Sequence, residues 1–122
     1  MGQQSSMHEM ITKQMLEYMA LGIYLPEEKL PSVRELSAHF HVNPNTVSKV
    51  YNELESEGYI FAIPAKGYYV AKKEQQNKED LLSKIKSLLH EVMIYAKLGD
   101  ISCDDIVTLL NKAFEKGELT YD

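Results

Sequence analysis

At 122 residues, 44% apolar and 25% charged, the chain has the size and balance of a small folded domain rather than a disordered segment. No run approaches the roughly 18 apolar residues of a membrane span. The lone cysteine, Cys103, excludes an intramolecular disulfide and fits a reducing, cytoplasmic setting. The net charge is −5, but residues 1–73 hold 7 Lys/Arg against 8 Asp/Glu while residues 74–122 hold 6 against 10, so a nucleic-acid surface must be built locally in the first half.

In chain order, Met1-Gly2 with Ser6 formally fits a myristoylation pattern. With no basic cluster behind it as a second anchor, a polar leader and no membrane partner are expected. Met7, Ile11, Met15, Tyr18 and Met19 then recur at the spacing of one helix face, and Gly22 ends that helix. Tyr24 to Lys29 reads as a turn around Pro26. Ser32-Val33-Arg34-Glu35 is a capping box, opening a short second helix with Val33, Leu36 and Phe40 as its stripe. His41-Val42-Asn43 breaks the pattern. Asn43 as N-cap and Pro44 at the first position open a third helix, in which Val47, Val50, Tyr51 and Leu54 face inward and Gly58 supplies a left-handed stop.

Tyr59 to Ile63 and Tyr68 to Val70 have strand character, with Pro64-Ala65-Lys66-Gly67 as the turn between them. A long helix follows from about Asn77 to Leu98, carrying Leu81, Ile85, Leu88, Leu89, Val92 and Tyr95, and Gly99 stops it. Ser102 with Asp105 reads as another capping box, for a last helix with Ile106, Leu109, Leu110, Ala113 and Phe114 that closes at Gly117. The expected fold is mainly α with a small β-hairpin wing. A winged helix-turn-helix DNA-binding domain over residues 1–73 precedes a two-helix dimerisation tail over residues 74–122.

The blocks Leu30-Pro-Ser-Val-Arg-Glu-Leu-Ser37, Val42-Asn-Pro-Asn-Thr-Val-Ser-Lys-Val-Tyr51, Leu54-Glu-Ser-Glu-Gly-Tyr-Ile60 and Gly67-Tyr-Tyr-Val70 resemble, in order and spacing, the GntR family of transcriptional regulators over residues 8–72. The short tail is similar to that of the YtrA subfamily, where a helical tail mediates dimerisation in place of a larger effector domain. The resemblance implies a sequence-specific DNA-binding regulator, a repressor, acting on a pseudo-palindromic operator as a homodimer. It also implies a DNA contact for Arg34. Two positions depart from the family pattern, which commonly has Gly where this chain has Glu27 and Ala65. A type I turn, which avoids positive φ, is expected at Glu27, while Ala65 leaves the wing-tip conformation open.

At 100° per residue, Asn45, Lys49, Asn52 and Ser56 lie opposite the apolar face of the third helix, with Thr46 and Ser48 flanking. Asn pairs with adenine, Lys donates to guanine, and Ser or Thr reaches bases or phosphates. The helix N-terminus offers N–H groups to a phosphate. Glu35 is assigned to the cap, and Lys66 at the wing tip to a minor groove or a phosphate, with Tyr68 beside it at the backbone or packed beneath. The candidate DNA-binding set is therefore Ser32, Arg34, Asn43, Asn45, Thr46, Ser48, Lys49, Lys66, Gly67 and Tyr68. Arg34, Lys49 and Lys66, with Lys29, give each chain a few cations, and two chains neutralise on the order of six to eight phosphates. That need, together with the small core of so short a chain, is the physical argument for a dimer joined through Leu81, Ile85, Leu88, Leu89 and Val92.

Catalysis, metals and cofactors find no support in the sequence. His8, His39, His41 and His90 lack metal-ligand spacing, Asp104 and Asp105 are adjacent and diverge on a helix, and Cys103 has no neighbouring base. The competing functions are a winged-helix protein-interaction module with no DNA role, favoured by the net charge, and a ligand-responsive regulator with a small-molecule effector at the dimer interface.

Overall fold

The computed structural model describes residues 3–117, and the contacts within the chain group residues 1–76 and 77–122 as two units. Met1 and Gly2, which carry the formal lipidation pattern, lie outside the described residues. In the first unit, α1 spans Gln3–Ala20, α2 Val33–Phe40 and α3 Pro44–Ser56, and β1 (Ile60–Ile63) pairs antiparallel with β2 (Gly67–Val70). In the second unit, α4 spans Lys78–Leu98 and α5 Cys103–Lys116. No described helix is long and apolar enough to cross a membrane.

The core of the first unit is built around α3. Its Val47, Val50, Tyr51 and Leu54 are buried against Ile11 and Met15 of α1, Leu36 of α2, Leu30, Ile60 of β1 and Val70 of β2. Each such side chain contributes about 1.5–3 kcal/mol by leaving water, so this one cluster fixes the placement of every element around α3. A contact between His8 Nε2 and Glu53 Oε2 at 3.1 Å adds a polar tie between α1 and α3.

The expected caps form. Ser32 and Glu35 make the reciprocal capping box, Asn43 caps α3 with Pro44 in its first turn, and Asn77 caps α4. Ser102 Oγ accepts from Asp105 N–H at 3.0 Å. The helix ends use one device. After α1, α2, α3 and α4, a residue of left-handed φ lets two N–H groups turn back onto the last carbonyls. Gly22 and Gly58 serve after α1 and α3, but His41 (φ 56°) serves after α2. Gly99 ends α4 as expected, but with an ordinary negative φ, and Asp100 (φ 52°) takes the left-handed place, with Ile101 N–H donating to the Ala96 carbonyl at 2.8 Å.

The wing has more rungs than a hairpin. Its register pairs Ile60 with Val70, Phe61 with Tyr69, Ala62 with Tyr68 and Ile63 with Gly67. On the other side of β2, Leu30 N–H donates to the Tyr68 carbonyl at 2.8 Å and Val70 N–H to the Glu28 carbonyl at 3.0 Å, so Lys29 is bridged to Tyr69. The turn leading to this rung differs from expectation. Glu28 N–H donates to the Leu25 carbonyl at 3.0 Å with Pro26 at the second position, and Glu27 at the third has φ 68°, the mark of a type II rather than a type I turn. Glu27 is held there because its own N–H donates to the Val70 carbonyl at 2.7 Å and its carboxylate meets Lys72 at 3.6 Å. The wing tip repeats the geometry: Lys66 N–H donates to the Ile63 carbonyl at 2.9 Å around Pro64, and Ala65 has φ 66°.

Past the wing, Ala71 N–H returns to the Tyr59 carbonyl, and the Gln76 side-chain amide donates to the Gly58 carbonyl at 2.9 Å. The polar stretch over 72–76 is thereby fastened to the first unit. In the second unit no residue of α4 or α5 is buried, and Leu82, Ile85, Leu88, Leu89, Val92 and Met93 are exposed.

Candidate nucleic-acid interface

Two short helices separated by the turn 41–43, then a hairpin, present three surfaces from one core: the first turn of α2, the outer face of α3 and the wing tip. On α3, Asn45, Lys49 and Asn52 are exposed and Ser48 is half-buried. Thr46 departs from expectation. At 3% exposure it belongs to the buried face and offers no surface to DNA. It sits one residue before Val47, and the packing around α3 is wide enough to enclose that flank.

The start of α3 also needs correction as a phosphate site. Pro44 has no N–H, Asn45 N–H donates to Asn43 Oδ1 at 2.8 Å, and Thr46 N–H donates to the Asn43 carbonyl at 2.9 Å. The first-turn donors are therefore satisfied within the chain. Asn43 is exposed, and its cap leaves only the side-chain amide N–H groups for a ligand.

The first turn of α2 is the better anion edge. Its first intrahelical bond runs from Leu36 N–H to the Ser32 carbonyl at 2.9 Å, so the N–H groups of Val33 and Arg34 precede it with no partner among the described residues. Ser32 is engaged with Glu35: its hydroxyl accepts from Glu35 N–H at 3.0 Å, and its N–H donates to Glu35 Oε1 at 2.9 Å. Donation to the Glu35 carboxyl by the Ser32 backbone N–H first and by the Ser32 hydroxyl second holds it below the usual carboxylate range, with Lys29 adding to the effect. The carboxylate is thus a fixed part of the cap, as assigned. Arg34 is exposed and forms no ion pair among the described residues.

At the wing, Lys66 is exposed at the tip and Gly67 follows with φ 125°. A Cβ on Gly67 would lie 3.3 Å from Cε of Lys29, so the glycine makes room for the lysine stem to pass beside the wing tip. The structure therefore brings Lys29 beside the wing tip and the α2 cap, a placement that the linear sequence does not reveal. Tyr68 is half-buried, and its ring centroid is 4.8 Å from that of Tyr51, so the packed position holds. Lys29, Arg34, Lys49 and Lys66 are all exposed and all outside ion pairs among the described residues. Of these, Lys29 acts on the Glu35 carboxylate without closing an ion pair, and Arg34, Lys49 and Lys66 can neutralise phosphates at little internal cost, which answers the objection raised by the net charge. Among the described residues no three His, Cys, Asp or Glu side chains gather as metal ligands would.

Comparison with known proteins agrees with this geometry. Residues 8–70 match the family model described as bacterial regulatory proteins, gntR family. The chain is 38% identical over 100 residues to the HTH-type transcriptional repressor YtrA of Bacillus subtilis (strain 168), covering 81% of this chain and 77% of that protein. Other curated regulators match about half of this chain, over 14% of their own length. A solved structure of a transcriptional antiterminator from Listeria monocytogenes EGD-e superposes with TM-score 0.78 at 26% identity, over 94% of this chain and 89% of that one. The DNA-binding domain of AraR in complex with operator ORR3 superposes with TM-score 0.51 at 26% identity, over 52% of this chain and 77% of that chain. The core around α3, the unpaired cations beside the wing and these likenesses converge: this chain is a DNA-binding transcriptional regulator and belongs to the GntR family of bacterial regulatory proteins.

Proposed function

We propose that the chain is a repressor that binds a pseudo-palindromic operator as a homodimer, with residues 1–73 on the DNA and the tail joining the two copies. The observation that carries the dimer is the contrast in burial. The first unit encloses ten core side chains, whereas α4 and α5 bury none and leave Leu88 61% exposed. Two amphipathic helices of this length cannot hold their geometry on so little buried area, and a second copy supplies the missing cover. Leu81, Ile85, Leu88, Leu89 and Val92 are the interface residues in this reading. Two half-sites, one helical turn or a multiple apart, then double the phosphate contacts.

Within each half-site, α3 reads the major groove through Asn45, Ser48 and Lys49, with Asn43 at its start. Ser32 and Arg34 meet the backbone or a base at the first turn of α2, and Lys66, Gly67 and Tyr68 hold the wing on the adjacent groove. Nothing in this role requires catalysis or a cofactor, and the place of action is the cytoplasm, where the operator lies. One observation supports a ligand-responsive variant of the same reading. A groove of about 430 Å³ lined by Leu89, Val92, Met93, Ile101 and Ile106 lies within the tail, where a bound small molecule would act on the dimer.

The test is a selection from random duplex DNA with purified protein at two salt concentrations. Enrichment of a two-fold symmetric motif whose binding weakens steeply with salt is the expected result. A folded protein that enriches nothing at either salt overturns the operator reading and returns the protein-interaction module to first place.

A further inference from the structure

Tyr51 is fully buried, yet it carries a hydroxyl into a core where Leu or Phe would fill the same kind of space. That hydroxyl donates to the Pro31 carbonyl, 20 residues back along the chain and immediately ahead of the α2 cap. The Pro31 carbonyl lies outside the helical ladder and takes no other backbone donor among the described residues. Burial first, then the nearby Tyr24, Glu35 and Tyr68, raises the Tyr51 pKa, so the group remains a donor across the physiological range. The ring of Tyr51 meets the ring of Tyr68 on the wing at 4.8 Å, with the planes tilted by 57°. The circuit then closes, because the Tyr68 carbonyl accepts from Leu30 N–H at 2.8 Å, and Leu30 adjoins Pro31.

One side chain on α3 is therefore fastened both to the chain that enters α2 and to β2 of the wing, and those two are fastened to each other. We propose that Tyr51 is a positioning residue for operator recognition, setting the open N–H edge of α2 and the wing at fixed offsets from the reading face of α3. The inference rests on the DNA reading given above. Its physical basis is that three separate surfaces must reach one rigid duplex at once, and a buried hydrogen bond has directional preferences that apolar packing lacks. Tyr51 touches no DNA in this role. Its effect passes through Arg34, Val33 N–H and the wing.

Tyr51→Phe keeps the ring and deletes the bond. The probe is the duplex recovered by random-sequence selection with the wild-type chain, set beside an unrelated duplex of equal length. With the variant folded at the assay temperature, operator affinity is expected to fall about tenfold. The slope of log affinity against log salt becomes shallower by roughly one or more as phosphate contacts at α2 and the wing are lost, and affinity for the unrelated duplex changes far less. Ile11→Val, a truncation in the same core that deletes no hydrogen bond, lowers the melting temperature but leaves affinity and slope at wild-type values. A folded Tyr51→Phe with unchanged operator affinity and salt slope overturns the proposal and leaves Tyr51 as packing. Should Tyr51→Phe fail to fold, Tyr68→Leu set beside Tyr68→Phe decides: both lose the Tyr68 hydroxyl, only the leucine loses the ring against Tyr51, and equal phosphate protection under the wing in the two footprints overturns the proposal. Failure of the wild-type chain to enrich any duplex instead overturns the DNA reading beneath it.

Discussion

Residues 7–71 and residues 78–116 carry apolar side chains at similar helical spacing, but only the first set is covered by its own chain. In the first unit Val47, Val50, Tyr51 and Leu54 meet α1, α2 and the wing, and their exposure falls to a few per cent or less. In the second, Ile85, Leu88 and Leu89 stay about half exposed or more, as do Leu109, Leu110 and Phe114 on α5. An apolar stripe says that a face must leave water. It does not say which chain covers it. Where two helices and a hairpin converge on one helix, the stripe becomes a core, and where α4 and α5 bury no side chain it stays open, as the proposed dimer requires.

The substitution that strains this comparison hardest is Leu88→Asp. A carboxylate in the centre of the proposed interface should convert the dimer to a monomer in analytical ultracentrifugation. Operator affinity should fall on the order of 10³-fold, about 4 kcal/mol, because one copy holds only half the phosphate contacts. A dimer that survives places the interface on another surface. In the first unit the matching change is Leu54→Ala, which opens a cavity in an enclosed core and should lower stability by about 3 kcal/mol in denaturant titration. The converse, Leu109→Ala on exposed α5, should cost less than about 1 kcal/mol unless the partner copy encloses it as well. Similar losses at both positions would show that the tail is as well packed in the assembly as the first unit is alone.

Arg34→Ala sharpens the comparison from the DNA side, since it removes a cation that the first unit keeps out of ion pairs. Operator affinity should fall about tenfold while the melting temperature stays put, because the side chain is exposed and supports nothing internal. The salt slope then sorts its role. A slope shallower by about two per dimer marks a phosphate contact, and an unchanged slope with relaxed base preference marks a base contact. Unchanged affinity removes Arg34 from the interface.

The first unit was legible wherever the signal was local. Ser32 with Glu35 and Asn43 with Pro44 announce helix starts because a cap is chemistry within four residues, and they form where the spacing places them. Inward faces followed from periodicity, except at Thr46, whose burial depends on how far neighbouring elements wrap around α3. The link from Tyr51 to Pro31 spans 20 residues and has no signature in either segment. Neither has the placement of Lys29, which depends on a rung formed with β2. Left-handed φ at Asp100 in place of Gly99, and at Glu27, was hidden for the same reason. Glycine marks where positive φ is easy, whereas hydrogen bonds from elsewhere decide where it is required.

Those positive-φ positions supply the smallest and most discriminating change. Ala65 at the wing tip holds φ 66°, a conformation that costs an L-residue roughly 1–2 kcal/mol and a glycine almost nothing. Ala65→Gly relieves that strain but adds about 0.4–1 kcal/mol of unfolded-state entropy, so a net gain of about 0.5 kcal/mol is expected. Glu27 has the same backbone geometry, φ 68°, but its carboxylate also meets Lys72 at 3.6 Å, and both side chains are about half exposed. Glu27→Gly therefore relieves similar strain, loses an exposed ion pair worth under about 1 kcal/mol, and should come out near neutral. Two thermal melts decide it, and a rise of a few degrees for Ala65→Gly beside little change for Glu27→Gly is the expected pattern. Destabilisation by both would mean that the two turns open to other conformations in solution. The wing, rather than the tail, would then be the less rigid part of the molecule.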